Sequence, residues 1–323
     1  MGADRRGQAA MTTLERLDAW RAAGTISGPQ HDTLAALVRR ERVSVYVELS
    51  ALLYLGVLSF VGGLAWTFRA NVAVLGDAAI LSALLLIAAG AIYYCFARAE
   101  PYVPARVEAP TLAFDYVLYL GCLVLSVAAG YLEYRFALVR DWHHHVLLLS
   151  VLFGALAYRF DNRFVLSLAL SSLAGWAGLG LATWQVASTD ALRVTALLYG
   201  ALTGAIGLRL YRLAIKPHFL IVYLHLAANV ALAAVASGIG EAGSGLVYLL
   251  LLLVLCAAAI ALGARYRRFA FVAYGTLYGY GAISVRLLDV IGGPTAYLLY
   301  LLTTGTAVLV ALVVMARRIG RDE

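Results

Sequence analysis

The chain has 323 residues, of which 63% are hydrophobic and only 13% charged, and its mean hydropathy is +0.85. A soluble domain is typically about 45–50% apolar and about 25% charged, so a single water-soluble globule is excluded: there is too little polar material to cover a core of that size, and the surplus must face lipid. The net charge of +7 does not point to nucleic acid, because the cations sit between long apolar runs, where membrane topology puts them.

In chain order, residues 12–42 predict a small helical hairpin. Thr13 can open a helix through Leu14, Leu17 and Trp20, whose spacing shares one face, and Gly24 suits its end. Ser27 and Pro29 suit the start of a second helix carrying Leu34, Leu37 and Val38. Arg39, Arg40 and Arg42 then precede the first apolar run. The first 40 or so residues hold no apolar core of signal-peptide length, so the first membrane helix is expected to act as an uncleaved anchor.

Ten apolar stretches follow, at about 46–68, 74–96, 112–134, 145–159, 164–185, 191–210, 219–237, 245–264, 270–288 and 295–316. About 20 apolar residues cross a hydrocarbon core as a helix, and the runs lack the alternation of a membrane barrel. The expected fold is all-α: a polytopic transmembrane helical bundle of about ten spans behind a short N-terminal cytosolic hairpin. Its parts are 1–43 (hairpin and basic juxtamembrane end), 44–316 (bundle) and 317–323 (basic cytosolic tail). With the N-terminus in the cytosol, inner loops and the C-terminal tail hold 13 cations and outer loops only Arg69, Arg135, Arg140, Arg193 and Arg286. That bias predicts cytosolic termini and an even number of spans. Arginine outnumbers lysine 24 to 1, which suggests a bacterial cytoplasmic (inner) membrane protein from a GC-rich genome.

Three basic, aromatic segments resemble one another: ALAYRFDNRF (155–164), GLRLYRLAIKPHF (207–219) and GARYRRFAF (263–271). They read either as a tandem two-helix repeat or as three cytosolic turns with the same interfacial needs.

Ionisable groups at membrane depth are the usual pointer to function. Glu48, Asp115, Glu133, Arg286 and Asp289 all fall near helix ends, where a boundary charge or local pair explains them, Arg286 and Asp289 being i and i+3. The deepest polar pair is His225 and Asn229, at i and i+4 on one face, with His218 seven residues earlier on the same side. Imidazole titrates near neutral pH, so His225 and Asn229 are the leading binding candidates, joined by Tyr274 and Tyr278 from a cluster of tyrosines at depth. Interhelical hydrogen bonding and interface belts are the plainer reading of the same residues. Gly200-xxx-Gly204 and Gly275-xxx-Gly279 are close-packing spacings.

His143, His144 and His145 are consecutive and so point about 100° apart on a helix; they read as an interface belt, and no metal is expected. Cys95, Cys122 and Cys256 lie in apolar runs as packing thiols. No phosphate-binding loop, H-E-x-x-H or G-x-S-x-G is present, no catalytic set can be assembled, and neither catalysis nor a cofactor is expected.

The segment LERLDAWRAAGTISGPQHDTLAAL (14–37) resembles the opening of the uncharacterised bacterial family of predicted membrane proteins called domain of unknown function 2157. Trp20, Gly24, Ile26, Ser27, Leu34 and Leu37 carry the likeness. Where such proteins often have Asn-Trp after the first membrane helix, this chain reads AWTFRAN (65–71). The resemblance implies architecture and no mechanism.

Two roles are therefore expected: a small-molecule or ion translocator, or a non-catalytic scaffold or sensor whose residues 12–42 dock a cytosolic protein. A lipid-modifying enzyme would need Glu48, Asp115, Arg106 and Arg159 gathered in one cluster. Lipid is the partner implied throughout, and oligomeric state is not legible.

Overall fold

The computed structural model describes residues 13–38, 46–71, 76–107, 109–136, 143–183, 188–241, 243–288 and 293–320. Among these, the regular structure is helical. The short helices are α1 (Thr13–Ala22) and α2 (Gly28–Val38). The long ones are α3 (Tyr46–Ala70), α4 (Asp77–Arg98), α5 (Leu112–Phe136), α6 (His143–Phe160), α7 (Arg163–Thr183) and α8 (Thr189–Arg212). They continue with α9 (Leu220–Ala236), α10 (Gly245–Arg265), α11 (Phe269–Leu288) and α12 (Pro294–Gly320). The described part of each of the ten apolar stretches is thus mainly helical. Six are long and apolar enough to cross a membrane: Asp77–Arg98, Ala113–Phe136, Thr189–Arg212, Pro217–Ala236, Gly245–Arg265 and Thr295–Arg318. Leu52–Phe68 and His144–Phe160 are apolar but shorter.

The chain divides into two compact units, with the break after Leu64, inside α3. In the first, α1 ends at Gly24, whose φ of 70° is left-handed. Gly24 N–H donates to Arg21 O at 3.0 Å and Thr25 N–H to Trp20 O at 2.9 Å, the paired bonds that close a helix C-terminus. Ser27 then caps α2 reciprocally: its backbone N–H donates to Gln30 Oε1 at 2.9 Å, and Gln30 N–H points to Ser27 Oγ at 3.5 Å. Leu17 on α1 and Ala35 and His31 on α2 are buried.

In the second unit, consecutive helices pack as tight pairs: α4 with α5, α6 with α7, α8 with α9, and α10 with α11. Glycine sets how close they come. A Cβ at Gly275 would sit 2.5 Å from Cys256 O of the facing helix, and one at Gly207 would sit 2.5 Å from Tyr223 Cβ. Gly200 and Gly204 meet Ala227 in the same way, so both small-residue spacings lie at helix seams. Cys95, Cys122 and Cys256 are buried and unbridged.

The three arginine-rich segments share one turn geometry. Asp161, Ala214 and Arg267 all have φ near 55°, although none is glycine. After each, the next N–H reaches back five residues: Asn162 to Ala157 O, Ile215 to Leu210 O, and Arg268 to Gly263 O, at 2.7–3.0 Å. This is the same stop as at Gly24, repeated at the α6–α7, α8–α9 and α10–α11 turns.

Helix α12 is held differently. Its apolar window is only 6% buried, and it is pinned to α11 by Tyr280–Thr304 and Ser284–Tyr300 hydroxyl bonds at 3.0 and 3.1 Å. A helix that is apolar all round and this exposed is solvated by lipid.

Candidate functional site

His225, Asn229, Tyr274 and Tyr278 come together along the α9–α11 seam. Tyr274 Oη and His225 Nδ1 lie 3.1 Å apart, and the imidazole stacks on Phe271 with centroids 4.9 Å apart and planes 5° apart. One turn on, Asn229 Nδ2 donates to His225 O at 2.8 Å, and Tyr278 Oη reaches Asn229 O at 3.5 Å. Asn229 lies about 13 Å along α9 from Leu220, near the helix centre. The hydroxyl fixes Nδ1, and no described residue bonds Nε2.

The seam continues into an apolar groove of about 320 Å³, lined by Ala236, Ile239, Gly240, Tyr278, Gly281 and Val285 among others. A Cβ at Gly281 would meet nothing within 4 Å, so that wall is open. Polar quartet and groove thus adjoin, sharing Tyr278.

His218 does not belong to this stripe. It lies in the 3₁₀ turn Pro217–Phe219, whose period breaks the seven-residue spacing to His225, and its Nε2 faces Asp161 Oδ1. There it joins a buried charge cluster that sequence reasoning missed. Lys216 Nζ donates to Asp161 Oδ2 at 2.9 Å, with the two side chains 1% and 2% exposed. Lys216 Nζ also donates to Ala105 O at 2.9 Å, and Lys216 N–H to Pro104 O at 2.8 Å. Val107 N–H donates to Asp161 Oδ2 at 2.6 Å, and Lys216 lies under the Tyr102 ring. The α6–α7 and α8–α9 turns therefore clamp Pro104, Ala105 and Val107 between them. The available signal was compositional, since Lys216 is the lone lysine of the chain.

Several of the remaining boundary charges have partners among the described residues. Asp115 accepts from Asn162 Nδ2 at 2.8 Å. Glu133 faces His145 at 3.5 Å with both side chains nearly buried, so His145 packs inward and is no belt residue; among the described residues no His/Cys/Asp/Glu group could hold a metal. Arg135 and Tyr131 both bind Asp77 at the head of α4. Arg193 on α8, 5% exposed, bonds Asp190, Glu241 and Ser237 and lies over Tyr248. Arg286 packs over Gly245; its expected partner Asp289 lies outside the described residues, as does the Glu48 side chain. Arg159 donates to Glu100 O at 2.8 Å.

Several apolar helices of membrane length, charged only toward their ends, define an integral helical membrane protein. Residues 18–166 match the profile of a family described as Predicted membrane protein (DUF2157), the same family that the 14–37 segment resembles. The match runs from α1 into the start of α7, so the α9–α11 seam lies beyond it. No curated protein and no solved structure matches the chain.

Proposed function

We propose that the chain binds and translocates an amphiphilic small molecule at the α9–α11 seam. The observation carrying this reading is the junction of a half-buried imidazole, with Nε2 left unbonded by described residues, and an apolar groove that opens beside it. His225 and Asn229 take the polar head, Tyr274 and Tyr278 orient them, and the groove takes the apolar body, as small-molecule sites combine a mostly apolar wall with few polar groups. The ten helices are read as ten spans of a bacterial inner membrane with both ends cytosolic; the arginine bias supports this orientation. The boundaries 1–43, 44–316 and 317–323 go with that reading.

Proteoliposome flux tests it, with tetraphenylphosphonium and anilinonaphthalene sulfonate as lipophilic cation and anion. Flux of one of them above protein-free vesicles, lost in H225A, N229A and the groove-filling G281L, supports the proposal. Flux of neither, or flux indifferent to all three variants, overturns it.

A second reading, a scaffold or sensor whose residues 12–42 dock a cytosolic protein, is favoured by Trp20, 50% exposed, and by the exposed Leu34. Affinity capture with the full chain and with residues 13–38 deleted decides it: an unchanged set of captured partners rules it out.

A further inference from the structure

His31 is the one histidine of the described residues that bridges the two short helices. Its ring is 10% exposed, with Nε2 2.8 Å from Asp18 Oδ1 on α1 and Nδ1 3.1 Å from Asp32 Oδ1 on α2. Arg21 on α1 is the other charged group facing this site, 3.9 Å from Asp32. Ionised carboxylates only accept hydrogen bonds, and a neutral imidazole has one N–H. Both contacts are satisfied together only when the ring carries two protons. A neutral ring turns one lone pair toward a carboxylate, and that contact becomes repulsive.

We propose that His31 is a proton-operated latch between α1 and α2, closed while the imidazolium spans Asp18 and Asp32 and loosened when the ring loses its proton on the alkaline side. The direction follows from linkage. The hydrogen bonds to Asp32 and then Asp18 raise the ring above its ordinary 6.5. Stability from such a group is complete below 6.5 and is lost as pH rises through the folded value. Leu17 on α1 and Ala35 on α2 are buried, so loosening of the α1–α2 contact would expose apolar surface to exchange.

The test uses the full chain in detergent. Ring resonances of ¹⁵N-histidine are followed against pH, His31 being assigned by its absence in H31Q. Amide hydrogen exchange over residues 13–38 is measured in parallel, corrected for the intrinsic pH dependence. The latch requires a His31 midpoint above 6.5 that falls in both D18N and D32N. It also requires a severalfold loss of protection across that midpoint in the native chain and no such step in H31Q. Should H31Q lack the helix pair altogether, D18N, which keeps the ring and Asp32, must show the same step moved to lower pH. A midpoint at or below 6.5, or protection that does not change across it, overturns the proposal.

Discussion

Replacing Lys216 by methionine removes a charge while keeping an unbranched apolar stem. Asp161 is 2% exposed, so K216M strands a carboxylate that has left water. Breaking a buried pair from one side costs about 3–5 kcal/mol, whereas removing both charges is far milder. The bond from Lys216 Nζ to Ala105 O is lost as well, while Asp161 keeps Val107 N–H and His218. The expected loss therefore lies toward the lower end, about 3 kcal/mol. At roughly 2–4 °C per kcal/mol for a large chain, thermal unfolding in detergent should fall by on the order of 10 °C. D161N/K216M should recover at least half of that loss, so that the two single losses are strongly non-additive in the double-mutant cycle. A K216M protein as stable as the native chain, or a double variant no better than K216M, refutes the claim that this pair holds residues 104–107.

Gly275→Ala sets a methyl against the Cys256 carbonyl, which is backbone and cannot swing away; a loss of about 1–3 kcal/mol is expected in chemical unfolding, against a negligible change for Gly281→Ala in open space. At Ala214, φ is 54°, so valine should cost about 1–2 kcal/mol and glycine almost nothing, read as the difference in unfolding midpoint between A214V and A214G. Hydrogen bonding from Arg193 holds the Glu241 carboxyl below its ordinary 4.5. Its contribution is thus present above pH 4.5 and lost as pH falls through the lower, folded value. The stability gap between the native chain and E241Q should be visible at pH 7 and close below pH 4.5; a gap that persists in acid would show that the carboxylate charge is not what Arg193 uses.

The positions of the long helices were legible because runs of apolar residues near 20 leave few alternatives in lipid. Ser27 and Gly24 also announced their turn, since both follow the common rules for helix caps. The stops at Asp161, Ala214 and Arg267 did not. A left-handed residue is signalled by glycine, and here surrounding bonds impose it on three other residue types. The seam was half legible. The i, i+4 spacing put His225 and Asn229 on one face, but only tertiary packing brings Tyr274 and Tyr278 from 49 residues away. His218 was misassigned because a heptad spacing assumes unbroken helix, and Pro217 interrupts it. Lys216 read as one more topological cation. Its burial depends on Asp161, 55 residues distant.

Lys216 is the lone lysine of the sequence and its side chain is 1% exposed, so the fold shields this amine from acylating reagents. Acylation of that side chain reports the opening of the clamp itself. Acylation of Lys216 by a succinimidyl ester, read by mass spectrometry of the purified protein, would therefore time the release of Pro104, Ala105 and Val107 with no engineered probe.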